Sequence, residues 1–128
     1  MLRDVYSGRV KLDGDEHEYT LIAAVNYSSA LGVLGRYGEA KTLLKKMIPA
    51  AQRVLGASHE FMFRMMGCYG QALYRDDGAT LDDLREAVTA FEDTARIARR
   101  TFGGAHPLAT QIEESLQDAR AMLRLRTQ

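Results

Sequence analysis

Apolar residues recur at intervals of three and four positions along most of the chain, the spacing of helices that bury one face. The last such stretch places Leu108, Ile112, Leu116 and Leu123 on one face and Arg120 on another. No segment alternates apolar and polar residues for long enough to indicate a strand. The pattern predicts an all-α chain with five helices, over residues 16–34, 37–55, 59–74, 81–102 and 107–125.

Local signals at the helix ends support these boundaries. Gly56 and Gly103 stand where a helix C-terminus favours a left-handed residue, a conformation that glycine adopts without steric cost. Thr80 and Asp83 have the spacing of a capping box, in which each side chain binds the backbone amide of the other residue. Pro107 suits the first turn of a helix, where its missing amide hydrogen is no loss.

A short segment recurs along the chain. Val-Leu-Gly-Ala-Ser-His-Glu at 54–60 returns as Thr-Phe-Gly-Gly-Ala-His-Pro at 101–107, and a weaker echo lies at 12–18. The histidines of the three segments are 42 and 47 residues apart. A period in this range is typical of stacked helical repeats, which display a surface for binding. The longer spacing is explained by extra residues in the turn 75–80, where an insertion costs little entropy.

The first 14 residues are ambiguous in sequence. They are either the last turn of an earlier helix, and so a remnant of a preceding repeat, or a flexible lead-in. Gly8 and Gly14 are expected to weaken any helix there, because glycine is a poor helix former.

Composition narrows the classes of partner. The 128 residues carry 17 basic and 17 acidic side chains, and this balance gives no support for nucleic-acid binding. No apolar run approaches the roughly 20 residues of a membrane span, so we expect no membrane insertion. Cys68 is the single cysteine, which excludes an internal disulfide. The single cysteine fits a cytoplasmic or nuclear setting, and the N-terminus lacks the apolar stretch of a secretory signal.

The histidines suggest a metal site, but their spacing argues against one. Equivalent positions in stacked repeats are separated by a helix-packing distance, roughly 8–10 Å. Zinc ligands must each approach one ion to about 2.0–2.3 Å. We therefore expect His17, His59 and His106 to help close the junctions between repeats, with no metal and no cofactor.

No arrangement of residues indicates catalysis. Cys68 lies nine residues after His59, too far along one helix for that histidine to activate it, so it is better read as a small buried or half-buried side chain. Asp76, Asp77 and Asp82 lack the alternating ligands of a calcium loop. Phosphate loops, Gly-x-Ser-x-Gly turns and His-Glu-x-x-His helices are absent from the sequence. We therefore predict that the chain is not an enzyme.

The repeated segments resemble tetratricopeptide repeats of the kinesin light chain type. That family has a Gly-(Arg/Lys)-Tyr-x-Glu-Ala turn inside each pair of helices, A and B, and a Leu-Gly-x-x-His-Pro junction between pairs. The turn is present here at 35–40, and the junction reads Leu-Gly-Ala-Ser-His-Glu at 55–60 and Phe-Gly-Gly-Ala-His-Pro at 102–107. The resemblance implies a right-handed α-solenoid with a TPR-like domain over 15–126. Its parts are repeat one at 15–56, repeat two at 57–103 and a capping helix at 107–126.

The family also requires small residues where its A and B helices touch. Ser28 and Gly70 match that position on the A helices, and Leu44 and Phe91 match the bulky position of the B helices. Gln117 stands where a third small residue is expected, so the resemblance implies that the last helix has no B partner and caps the array. Pro49 falls inside the second helix and is expected to bend it.

In this family the A helices line a concave face that binds peptides. An Asn at the position of Asn26 often holds a peptide backbone, and Arg64 and Arg75 are able to bind a carboxylate. The resemblance implies partner-binding roles for Val25, Asn26, Ser29, Val33, Arg64, Cys68, Gln71, Arg75, Gln111 and Asp118.

We therefore predict a non-catalytic module that binds a peptide or protein through its concave face or through the ends of the solenoid. One alternative is a structural subunit that forms a homo-oligomer or docks in a larger assembly. Another is a regulatory domain of a longer protein.

Overall fold

The computed structural model describes residues 2–14 and 18–128, and this part of the chain forms six helices without a strand. They are α1 (Leu2–Asp13), α2 (Glu18–Val33), α3 (Tyr37–Leu55), α4 (Glu60–Arg75), α5 (Leu81–Phe102) and α6 (Pro107–Thr127). The all-α prediction is confirmed, and the five predicted helices match α2 to α6 within two residues at each end. His17 lies outside the described residues.

Helix α1 decides between the two alternatives left open for the first residues. Residues Leu2–Asp13 are helical and not a flexible lead-in, although Gly8 lowers the helix propensity of this segment. The helix is held by packing: the ring of Tyr6 lies 6.2 Å from that of Tyr27, and its hydroxyl donates to the Met47 sulfur at 3.4 Å. Helical stability in proteins comes mostly from such tertiary contacts, which residue propensities do not report.

Each following pair of helices forms a hairpin with one closely packed contact. α2 packs on α3 and α4 packs on α5. In the second hairpin Gly70 lies directly against the fully buried ring of Phe91, and a Cβ added there would approach that ring to 2.3 Å. Ser28 and Leu44 are buried at the corresponding positions of the first hairpin. The small and bulky positions expected from the resemblance therefore lie at the hairpin interfaces.

The hairpins stack in register. α2 contacts α4, and α4 contacts α6, so these three A helices lie side by side, while α3 contacts α4 and α5 contacts α6 across the junctions. One continuous core of apolar side chains runs through the stack, from Leu21 on α2 to Leu116 on α6. This arrangement leaves a face lined by A helices, and that face carries the predicted binding residues.

The junctions repeat one cap geometry. Gly14, Gly56 and Gly103 have φ angles of 83°, 83° and 85°, and each donates its amide to the carbonyl four residues earlier. After the second and third of these glycines, His59 and His106 begin the next helix, their Nδ1 atoms accepting from backbone amides two residues on at 3.1 and 3.2 Å. The two histidines therefore close B-to-A junctions, as predicted for them.

The start of α5 is fixed by the capping box that its sequence predicts. Thr80 Oγ1 accepts from the amide of Asp83 at 3.1 Å, and Asp83 Oδ2 accepts from the amide of Thr80 at 3.0 Å. Lys41 of α3 lies 3.7 Å from the Asp83 carboxylate. The hydrogen bond from the Thr80 amide holds the pKa of Asp83 below its usual value. Burial, the second-largest effect, opposes this, and the positive charge of Lys41 adds to the lowering.

We expect Asp83→Ala to lower the free energy of unfolding by about 1 kcal/mol at neutral pH, the usual cost of a lost cap. A carboxyl whose pKa is depressed by folding stabilises the fold above its unfolded pKa of about 3.9, and this contribution disappears as pH falls through the folded value. The difference between wild type and variant should therefore shrink below about pH 4. Urea unfolding across the pH range measures it.

Asp82→Ala is the matched control for this prediction. Asp82 lies in the same first turn, so it shares the interaction with the helix dipole, but its side chain is 94% exposed. Equal losses for the two variants at neutral pH would contradict a specific role for the Asp83 cap.

Candidate functional site

The concave face carries two adjoining cavities. The first, of about 230 Å³, lies where α2, α4 and α6 meet. The second, of about 200 Å³, lies between α2 and α4 and extends to Tyr37 at the start of α3. Both cavities are lined by Ser29, Cys68 and Gln71, so they form one groove along the A helices, which we call the concave groove.

Nine of the ten predicted partner-binding residues line the concave groove. Val25, Asn26, Arg64 and Gln111 border the first cavity, Val33 and Arg75 border the second, and Ser29, Cys68 and Gln71 border both. Asp118 lines neither cavity. The stacking of the A helices thus brings most of the predicted set together.

Sequence reasoning found Val25 and Val33 but missed the other apolar residues of the groove. Phe61 and Phe63 of α4 and Leu108 and Ile112 of α6 line the first cavity. Phe63 and Ile112 are buried, so they form its floor. The signal was present in the sequence, because both junction segments lead directly into these residues, but the family's groove positions begin further along each helix.

The charged side chains of the groove are both basic. Arg64 is the single charged residue that lines the first cavity, and Arg75 is the single one that lines the second. Arg64 pairs with Glu60 one turn earlier at 3.1 Å, with both side chains more than half exposed. Such a solvated pair is worth little, so an incoming carboxylate competes with it easily.

Arg75 is held in place by its neighbour. Its Nε donates to the hydroxyl of Tyr74 at 3.4 Å, and its guanidinium lies 5.8 Å from the centre of that ring. The hydrogen bond to Tyr74 raises the pKa of Arg75 further above its already high value, so the side chain stays charged. A fixed guanidinium at the edge of a groove favours a carboxylate or another anionic group.

Asn26 and Cys68 occupy equivalent places on α2 and α4. The Asn26 side chain is exposed in the groove, and its amide is able both to donate and to accept. Cys68 is half-buried, and its sulfur lies 3.5 Å from the hydroxyl of Ser29. This contact joins the two A helices at the middle of the groove.

None of the helices within residues 2–14 and 18–128 combines the length and the apolar character that crossing a bilayer requires.

A family model described as "Tetratricopeptide repeat" matches residues 20–60 and 79–108. The first matched segment covers the hairpin of α2 and α3, and the second covers α5 and the junction that leads into α6. A search of curated proteins finds no match. Tetratricopeptide repeats are non-catalytic and generally mediate interactions between proteins. The helical hairpins, their stacking and the matched segments together place this chain in the tetratricopeptide repeat family.

Proposed function

We propose that the chain is a protein-interaction module whose concave groove binds an extended peptide segment with an acidic side chain or a terminal carboxylate. The observation that carries the proposal is that nine of the ten side chains implied by the family resemblance line two cavities that share three residues. A surface of this kind recognises its ligand by shape and hydrogen bonding, without making or breaking bonds.

The composition of the groove supports a peptide as the ligand. The apolar floor of the first cavity offers space for one side chain, and the exposed amides of Asn26 and Gln111 border it. Ligand sites combine apolar walls with a few polar groups that fix orientation. An extended peptide presents unpaired backbone groups at regular intervals, and side-chain amides satisfy both kinds of them.

The charges of the groove support an acidic ligand. Arg64 and Arg75 border separate cavities, and the residues that line these cavities include no carboxylate. A carboxylate placed beside either arginine forms a charge-assisted hydrogen bond, which is about twice as strong as a neutral one.

The proposal predicts weaker binding after removal of one amide and one guanidinium. We expect the double variant Asn26→Ala, Arg64→Ala to bind acidic peptides at least about tenfold more weakly than wild type, because a hydrogen bond to a charged group is worth about 1.5–3 kcal/mol. Fluorescence polarisation, with peptides selected on an array by the wild-type chain, measures the loss.

The matched control is Arg85→Ala, Gln117→Ala. It removes one cation and one amide that are exposed and lie outside the concave groove. Equal affinities for wild type and both double variants would exclude the groove as the binding site.

A further inference from the structure

A second concave surface lies between α5 and α6, away from the concave groove. It is a cleft of about 580 Å³ with four arginines and two glutamates at its rim: Arg96, Arg99, Arg100, Arg120, Glu92 and Glu113. The buried side chains of Ala95 and Leu116 also line it, so the cleft has an apolar floor beneath a charged rim.

The preceding repeat shows which helix packs at the position that corresponds to this cleft. Glu113 and Leu116 of α6 correspond to Met66 and Tyr69 of α4 at the 47-residue spacing. Met66 borders a cavity with side chains of α5, and the hydroxyl of Tyr69 donates to Glu86 of α5. The cleft therefore lies where a helix would pack if α6 had a B partner. No helix of the described residues fills that place.

The rim of the cleft is positively charged. Its four arginines exceed its two glutamates by two charges. Arg99 pairs with Glu113, and Arg120 pairs with Glu92 at 3.0 Å, across the two helices. Arg96 pairs with Asp93 on its own helix, which leaves Arg100 as the rim arginine without an ion-pair partner among the described residues.

The existing ion pairs leave the arginines accessible. The side chains of Arg96 and Arg99 are 60% and 64% exposed, so their pairs are solvated and contribute little to stability. An incoming carboxylate therefore gains interactions with guanidinium groups without first breaking a strong bond. Arginine suits this role because its planar fork matches a carboxylate at two points.

We propose that the α5–α6 cleft binds an acidic amphipathic helix of a protein partner. The partner helix would place an apolar residue over Ala95 and Leu116 and glutamate or aspartate side chains beside Arg96 and Arg100. The position of the missing B helix specifies the shape of the ligand, and the excess of arginine specifies its charge. This site is separate from the concave groove, so the module is able to hold two segments at once.

The test uses a fluorescein-labelled helical peptide of about 14 residues, with a leucine face and flanking glutamates, long enough to form a helix on binding. We expect wild type to bind it. The double variant Arg96→Gln, Arg100→Gln should bind it at least about tenfold more weakly. Affinity should fall as salt increases, because exposed charges are screened. Equal binding by wild type and this variant, or no binding by wild type at millimolar concentration, would overturn the proposal.

Control variants and control peptides test whether the labelled peptide binds in the α5–α6 cleft. The double variant Arg85→Gln, Arg36→Gln removes the same amount of charge outside the cleft. Arg85 pairs with Asp82 three residues earlier on α5, just as Arg96 pairs with Asp93. This control should therefore bind like wild type. The groove variant Arg64→Ala should also bind normally. A peptide with glutamine in place of glutamate should bind weakly. A phosphorylated peptide or a DNA oligonucleotide that binds more tightly than the glutamate peptide would refute an acidic helix as the natural ligand.

Discussion

Gly70→Ser is expected to lower the free energy of unfolding by about 2–3 kcal/mol, the typical cost of overpacking a core. The added Cβ would lie 2.3 Å from one atom of the Phe91 ring and 2.7 Å from two others. Phe91 is fully buried, so its ring cannot move into solvent to relieve the contact. Urea unfolding followed by circular dichroism measures the change.

The same chain supplies the control and the rescue. Gly67→Ser lies on the same helix, and its Cβ would meet nothing within 4 Å, so we expect no loss or a small gain from better helix propensity. Gly70→Ser combined with Phe91→Leu recreates the pair of Ser28 and Leu44 in the first hairpin. The double variant should be less destabilised than the sum of its single changes, because the two residues are in contact. Strict additivity would contradict direct packing of residue 70 against residue 91.

Phe63→Ala should cost about 3–5 kcal/mol, the range found for removing a buried aromatic side chain. Phe63 lines the floor of the concave groove and also borders a cavity of about 350 Å³ between α4 and α5. Its ring packs edge-on against that of Phe102 at 5.1 Å. Truncation to alanine would join the two cavities. The neighbouring side chains could then fill only part of the space that the ring leaves. Thermal and urea unfolding measure the loss.

Phe61→Ala is the matched control for this change. Phe61 is two residues earlier, is half-buried and stacks on His59 with ring centres 5.7 Å apart. It should cost clearly less than Phe63→Ala, because the smaller loss of buried area carries less transfer free energy. An equal or larger loss at Phe61 would contradict the role assigned to Phe63.

Much of the fold could be predicted because the ends of its helices are determined by interactions between residues that are close in sequence. Gly56 and Gly103 need the positive φ of a helix end, and Thr80 with Asp83 satisfies the first amides of α5. These requirements involve neighbouring residues, so a single sequence reveals them. Pro49 lies inside α3, which continues through it as one helix.

The sequence left helix α1 undecided because its stability comes from distant residues. Gly8 lowers its propensity, and the compensating contacts of Tyr6 with Tyr27 and Met47 join segments far apart in sequence. Gly14 was nevertheless an available signal, because its cap is the same as those of Gly56 and Gly103. The candidate site was predicted through family positions, so its polar residues and two valines were found, whereas Phe63 and Ile112 of its floor were not.

The first and last helices of the stack, α1 and α6, differ in how well an additional helix could pack against them. Leu2 and Val5 of α1 are 38% and 48% exposed, whereas their counterparts in α3, Leu44 and Met47, are 0% and 1% exposed. An engineered hairpin fused ahead of α1 would meet apolar side chains ready to be covered. One fused after α6 would meet the carboxylate of Glu113 and the amide of Gln117, so an apolar helix face would gain less there. Lengthening the array by design is therefore easier from its amino-terminal side.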